Sequence, residues 1–409
     1  MRTGRSGAGR HARSRFIRGG LLCLFMALLG AAGASAGAIT KGPCLLRVYQ
    51  NRVALLWESD TEGPWRVSYG RPGATPSRLE STGMRFEPKG GRAPRAVTIH
   101  KVWLENLRPG QVYRYRIVGD GGASDIHTFR TVPAKAQEVK FIVYGDSRSH
   151  PDRHRRLVER MIRIKPDFVV HTGDLVDRGK AYEQWGEQFF EPLRGLVESV
   201  PIYIAKGNHE GDGGNFERLL TPPGEENDFT FDYGCLHYIC ADNVSDRVDD
   251  ERLLKRIVGD AGASRSPWKF VSYHEPSLNF GGHDSDWQRD AALPAFAGAG
   301  VDFVIAGHSH LYERIRPVAP PEAGGSYVTY ITSGGGGAST HDIEPMNWHA
   351  AAKSVCHFCV FHIRGNRLTM DAVDEDGKVI DHLEVTKQNG RLNSEYLQTA
   401  LSMQRLLRR

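Results

Sequence analysis

The sequence predicts a two-part protein, an N-terminal all-β sandwich followed by a layered domain of alternating strands and helices. Three observations carry this. From Ala38 to Pro133 short apolar runs are separated by Gly, Pro and charged turns, and no helical period interrupts them. From Val139 onward strand-like runs alternate with helical ones. In that second part the strand-like runs end on Gly-Asp, Gly-Asn-His and Gly-His-Ser-His, residue types that hold metals and move protons.

At 409 residues the chain is long for one domain. Its 40% hydrophobic and 25% charged residues are those of an ordinary soluble globular protein. The net charge of +5 invites an anionic partner, but residues 1–36 contain six arginines (Arg2, Arg5, Arg10, Arg13, Arg15, Arg18) and no acid. Taking those six charges from +5 leaves −1, so the basicity belongs to the leader and gives no nucleic-acid-binding signal. That leader has an Arg-rich start, an apolar core from Leu21 to Leu29 and small residues ending Ala34-Ser35-Ala36, the three parts of a secretory signal peptide cleaved after Ala36. A secreted, periplasmic or cell-envelope protein is therefore expected, with an uncleaved anchor as the alternative. No later stretch is apolar enough for a transmembrane segment. Cleavage leaves Cys44, Cys235, Cys240, Cys356 and Cys359, an odd set that reads as buried small hydrophobes or one disulfide.

The β-like runs of residues 38–133 are Cys44 to Tyr49, Val53 to Trp57, Trp65 to Tyr69, Val97 to Trp103, Val112 to Val118 and His127 to Thr131. Ala134 to Glu138 reads as a linker. In residues 138–388, Val139 to Tyr144, Phe168 to His171, Pro201 to Ala205, Trp268 to Tyr273, Val301 to Ala306 and Tyr327 to Thr332 read as strands, and Phe229 to Tyr233 with Leu236 to Cys240 as a hairpin. Asp152 to Ile164, Ala181 to Val197, Asp250 to Val258 and Asp286 to Phe296 read as helices. Two hairpins turn at Gly365-Asn366 and Asp376-Gly377, and residues 389–409 read as a basic, helical surface tail.

Five loops at strand ends hold the candidate site: Asp146 in YGDSR, Asp174 in HTGDLVDRG, Asn208 and His209 in KGNHE, His274 in VSYHEP, and His308 and His310 in AGHSHLYER. A dinuclear hydrolytic site needs a bridging carboxylate, completed by His and amide oxygen ligands, with positions left open for water and substrate. Asp174, at the end of an apolar strand, is the expected bridge. His308 and His310 would reach one cavity as alternate residues of an extended chain. Singly, each of these residues reads as a turn, cap or buried histidine; their order at consecutive strand ends makes them a set.

That ordered set, GD, GDLVDRG, GNHE, a His after a strand and GHSHLYER, resembles the calcineurin-like metallophosphoesterase superfamily. The GHxHxYER form resembles its purple acid phosphatase branch. The segment LENLRPGQVYRYRI, with Leu104, Leu107, Pro109, Gly110, Tyr113 and Tyr115, is similar to the corner entering a late strand of fibronectin type III domains, in which Tyr113 would tie its hydroxyl back across the corner. The resemblance implies a double β-sandwich flanked by helices in place of a doubly wound sheet. It implies two divalent or mixed-valence metal ions of Fe, Zn or Mn, the first held by Asp146, Asp174 and His310 and the second by Asp174, Asn208, His274 and His308. His209 would donate a proton to the leaving oxygen or hold a phosphoryl oxygen, and a metal-bound hydroxide would attack phosphorus in line.

Two positions depart from the branch. Its metal-bound tyrosine, three residues after the bridging Asp, is Asp177 here, so a colourless protein is expected, with Asp177 orienting His209 or, alternatively, ligating directly. The histidine that other superfamily members place two residues after the first Asp is Arg148, which leaves the first metal one protein ligand short, or contacts phosphate. Glu210 is expected to orient a ligand and His171 to be packed; His283, His341, Trp348 and His349 are candidates for a substrate entrance or plain surface residues. The function expected is a phosphomonoesterase acting on a small-molecule phosphoester. A phosphodiesterase or nucleotidase, or a non-catalytic surface binding protein, are the alternatives.

Overall fold

Alternation along single strands builds the core. In Glu138–Tyr144, the residues Val139, Phe141 and Val143 point to one side and Ile142 and Tyr144 to the other, and all five are fully buried. A strand buried on both faces must be covered twice, as period-two geometry requires. The first set packs in a core shared with a second sheet, where Phe141 meets Phe270 edge-on at 5.4 Å. The second set packs under helix Pro151–Ile164. Burying each such aromatic contributes on the order of 1.5–3 kcal/mol.

The computed structural model describes residues 37–88, 96–119, 122–211, 214–246, 248–320, 325–388 and 391–407; the expected leader lies outside them. An eleven-stranded sheet runs in the order Arg391–Leu392, Val379–Gln388, Arg367–Asp374, His357–Arg364, Glu138–Tyr144, Phe168–His171, Ile202–Ile204, Ile39–Val48, Val53–Ser59, Val97–Leu104 and Met84–Phe86. A seven-stranded sheet faces it in the order Phe229–Tyr233, Leu236–Cys240, Trp268–Ser272, Phe303–Ala306, Thr329–Ser333, Tyr312–Ile315 and His349–Lys353. Helices Asp250–Ala263 and Arg289–Ala299 cover its outer face. The layers are thus helix, sheet, sheet, helix, the double sandwich implied by the resemblance.

The N-terminal strands are split between two sheets. Ile39–Val48 pairs in parallel with Ile202–Ile204, at Leu46 and Ile202, and carries its neighbours into the eleven-stranded sheet. Trp65–Gly70, Ser77–Ser81, Val112–Gly119 and His127–Arg130 form a separate sheet. The described residues make one compact unit. The Tyr113 hydroxyl accepts the Arg108 N–H at 2.8 Å, the tie expected at that corner.

Two local expectations need correction. The helix expected over Ala181 to Val197 is a short turn, Tyr182–Gln184, followed by a π-helical segment, Trp185–Phe190, and further turns. Pro192 has no N–H for the Gln188 carbonyl, which accepts instead from His154 Nδ1 at 3.1 Å. The tail is not one helix: Leu401–Ser402 pairs in parallel with Val318–Ala319, and Leu401, Met403 and Leu406 are buried in the core beside helix Arg289–Ala299. Apolar burial breaks the tail into short pieces. All five described cysteines are buried free thiols, the first of the two readings. Among the described residues, no helix is long and apolar enough to cross a membrane.

Burial drives His100, His154 and His357 down from the ordinary imidazole value to about 4. The unfolded chain takes up protons below about pH 6.5 that the folded one resists, so their stabilisation is complete above about 6.5 and is lost as pH falls towards about 4. Thermal melting followed by circular dichroism should give a Tm that drops through that window; a flat Tm from pH 7 to pH 4 would contradict this.

Candidate metal centre

Asp174 sits where the Phe168–His171 strand leaves the sheet, 1% exposed and in the left-handed backbone region with φ +58°. Asp146 (φ +60°) and His308 (φ +69°) share this conformation. Each costs about 1–3 kcal/mol for a non-glycine residue, and such strain collects where side chains are aimed for a purpose. His308 and His310 therefore reach the centre through a bend, not as alternate residues of an extended strand: the left-handed turn at His308 breaks the period of two.

The neighbouring glycines are sites of close approach. A Cβ on Gly207 would lie 2.2 Å from Asp174 N and 2.3 Å from Asp174 Oδ1, and one on Gly307 would lie 2.5 Å from Asp146 Oδ2. Glu210 staples the Asp174 and Gly207 loops together. Its Oε2 accepts from Asp174 N at 2.9 Å and Gly207 N at 2.7 Å, and its Oε1 from Leu175 N at 2.8 Å. Burial and the Asp174 charge push its carboxyl up to about 8 against those donors.

The two oxygens of Asp174 face different positions. On one side, His274 Nε2 lies 3.3 Å from Asp174 Oδ1 and 2.8 Å from Asn208 Oδ1, while His308 Nδ1 lies 3.3 Å from both Asn208 Oδ1 and His274 Nε2. His274 Nδ1 donates to the Thr172 carbonyl at 2.8 Å, so in the neutral ring Nε2 is a bare lone pair. Lone pairs from Asp174, Asn208 and His274 thus converge beside His308 Nδ1, with no proton between His274 Nε2 and Asn208 Oδ1. Ligand atoms about 2.1 Å from one cation lie about 3.0 Å apart in octahedral and about 3.4 Å apart in tetrahedral coordination. The residues fit the second cation.

On the other side stand Asp146, His310 and Asp174 Oδ2. His310 Nδ1 donates to the Ser339 carbonyl at 2.9 Å, leaving Nε2 as the acceptor, 3.6 Å from Asp146 Oδ1. Asp146, fully buried, is pushed well above the usual carboxylate range by burial and the Asp174 charge, although both its oxygens accept from His308 N at 3.0 Å. Burial raises Asp174 too, but His274, His209 and Arg148 outweigh it and bring the carboxyl down. Burial, with His274 beside His308 and Arg148 beside His310, holds both histidines down to about 3, so both rings are neutral. Arg148 stands in this position: its Nε is 3.2 Å from Asp174 Oδ2 and its Nη2 is 3.3 Å from His310 Nε2. The residues fit a first cation less well than the second.

His209 lies above Asp174, its side chain 31% exposed, with Nε2 3.8 Å from Asp174 Oδ2. Asp177 does orient it, but through the main chain, since His209 Nδ1 donates to the Asp177 carbonyl oxygen at 2.7 Å. The Asp177 carboxylate turns away, accepting from Ser149 Oγ, from Arg148 Nη1 at 3.3 Å and from Gln188 Nε2 at 2.7 Å. With both oxygens engaged it is not placed as a ligand. Sequence reasoning missed Ser149 and Gln188; Pro192, which opens the π turn carrying Gln188, was the available signal.

The rim residues separate. His283 and His341 lie at the mouth, their rings 4.7 Å from His308 and 4.3 Å from His310. His349 is buried against Glu313 at 2.8 Å and Trp348 is buried beside Phe280, so neither lines an entrance. His171 is packed, bonded to Ser147 Oγ at 3.0 Å. The last residues of GHSHLYER are structural: Arg314 forks onto Asp381 at 2.6 and 2.9 Å, and Glu313 accepts from Phe280 N at 3.0 Å.

Residues 122–312 match the calcineurin-like phosphoesterase family, so the chain carries a calcineurin-like metallophosphoesterase domain with a β-rich region before it. Its homologues include purple acid phosphatases. Purple acid phosphatase 21 of Arabidopsis thaliana is 28% identical over 262 residues, 58% of this chain and 58% of its own. Acid phosphatase type 7 of Homo sapiens is 24% identical over 423 residues, 90% of this chain and 95% of its own. The chain spans 58% and 59% of the length of the two plant relatives it matches first. The solved structure of purple acid phosphatase PPD1 from yellow lupin (Lupinus luteus) shares the fold, with a TM-score of 0.74 at 18% identity over 87% of this chain and 75% of its own.

Gly207→Ala tests the close approach at the hub. The methyl displaces Asp174, and since misplacement of about 1 Å can cost 10²-fold, hydrolysis should fall by roughly that factor or more with reduced metal content. Metal content and rate within twofold of wild type would contradict the geometry.

Proposed function

We propose that the chain is a metal-dependent phosphoric ester hydrolase acting on phosphomonoesters of small molecules, with Asp174 as its central ligand. The observation that carries this is the convergence of Asp174, Asn208, His274 and His308 at 2.8–3.3 Å separations, with His274 Nε2 a bare lone pair, beneath a half-buried His209. Asp174, Asn208, His274 and His308 would hold the cation, which would supply polarisation of a phosphoryl oxygen and a more acidic water. Carboxylate, amide and imidazole donors suit Fe, Zn or Mn, with availability after export selecting among them.

The chain's own groups supply the rest. The bond to the Asp177 carbonyl fixes the His209 ring with a hydrogen on Nδ1, so the imidazolium form, which carries a second hydrogen on Nε2, is the one that gives a proton to the leaving oxygen. The Arg148 guanidinium, permanently charged, offers positive charge next to the space above Asp174. His283 and His341 stand at the mouth, where the organic part of a substrate would pass. Export to the periplasm, envelope or medium is part of this reading and rests on the Arg-rich, apolar, small-residue leader of residues 1–36.

A nitrophenyl phosphate monoester and the matching diester, assayed after reconstitution with Mn, Zn or Fe, test the reading. Monoester turnover is expected. Diester turnover alone would move the reading to a phosphodiesterase, and turnover of neither would favour a binding protein. His209→Ala should lower kcat by about 10²–10⁴-fold with metal retained; loss of metal in that variant would contradict its role.

A further inference from the structure

The first cation position is where donors and surroundings disagree. Asp174 Oδ2 and His310 Nε2 both turn lone pairs towards it, and both are already met by Arg148, at 3.2 Å from Nε and 3.3 Å from Nη2. The His310 contact is a hydrogen bond accepted by imidazole, because the other ring nitrogen has its hydrogen on the Ser339 carbonyl at 2.9 Å. The remaining terminal nitrogen, Nη1, donates to Asp177 Oδ1 at 3.3 Å. A guanidinium cannot give up its proton at any pH where the protein is folded, so these contacts are with a fixed cation.

The guanidinium is also held from behind. Asp177 is fixed through both amide atoms of Gln188, whose Oε1 accepts from Asp177 N at 2.8 Å and whose Nε2 donates to Asp177 Oδ2 at 2.7 Å. Ser149 Oγ closes the other oxygen. The Arg148 side chain is only 15% exposed. The two positions that depart from the resembled family, Arg148 and Asp177, are therefore in contact with each other: one brings a cation to the donors, and the other anchors it. Asp146, Asp174 and His310 give a metal at this position three ligands at most, in competition with a positive charge already seated among them.

We propose that Arg148 takes the place of the first cation, so that the protein binds one metal ion tightly, at Asp174, Asn208, His274 and His308. The guanidinium does the electrostatic work of the other ion, compensating Asp174 and presenting N–H donors to a phosphoryl oxygen. The proposal rests on the metallophosphoesterase reading of the site and narrows its expected two ions to one.

Manganese binding to the full-length protein tests it, with bound metal counted by mass spectrometry after desalting and the electron paramagnetic resonance spectrum recorded. Wild type should hold one Mn per chain with the hyperfine pattern of an isolated ion. Arg148→His, which replaces the cation by an imidazole donor, should hold two per chain and show the spectrum of a spin-coupled pair. Two coupled ions in wild type would overturn the proposal, as would a folded Arg148→His protein that still holds one. If that variant does not fold, the wild-type count decides alone. A folded wild type holding no Mn would overturn the underlying reading of the site, an outcome distinct from holding two.

Discussion

The centre depends on one buried charge problem. Asp146 and Asp174 stand close together, 0% and 1% exposed, in a place where carboxylates repel each other and water cannot screen them. Such a pair is unfavourable unless cations meet it. On one side Asp174 Oδ1 meets Asn208, His274 and His308, the set proposed to hold a cation; on the other, Asp174 Oδ2 meets the Arg148 guanidinium. The left-handed backbone at Asp146, Asp174 and His308 aims these side chains at one another.

The double sandwich makes that arrangement affordable. Parallel strands buried on both faces set the ends of Glu138–Tyr144, Phe168–His171 and Ile202–Ile204 side by side, while Trp268–Ser272 and Phe303–Ala306 bring His274 and the GHSH loop from the facing sheet. Each candidate loop then leaves a rigid strand, and Gly145, Gly173, Gly207 and Gly307 let four of the five approach their neighbours closely. Glu210 joins two of the loops through backbone N–H groups, so movement of Asn208 and movement of Asp174 are coupled.

Much of this was legible in the chain. Period-two apolar runs and their strand-end motifs pointed to the ligand loops because burial on both faces leaves few other readings of a stretch such as FVVH. The facing of two sheets was not legible from alternation, which is satisfied equally by one doubly wound sheet; it came from the resemblance. The π turn after Tyr182 was hidden because Trp185, Phe189, Leu193 and Leu196 keep a helical apolar period while Pro192 removes the hydrogen bond that would sustain it. The direction of the Asp177 carboxylate was illegible for a similar reason: Gln188 and Ser149, which turn it away, reach it only through the fold.

The central claim is that one cation is held by Asp174, Asn208, His274 and His308. An anomalous difference map, from crystals of the manganese-loaded protein measured at the manganese edge, tests it most directly. The account predicts a dominant peak within bonding distance of Asp174 Oδ1, Asn208 Oδ1, His274 Nε2 and His308 Nδ1, with Arg148 still on Asp174 Oδ2. A dominant peak among Asp146, His310 and a displaced Arg148, or at His283 and His341, would contradict it.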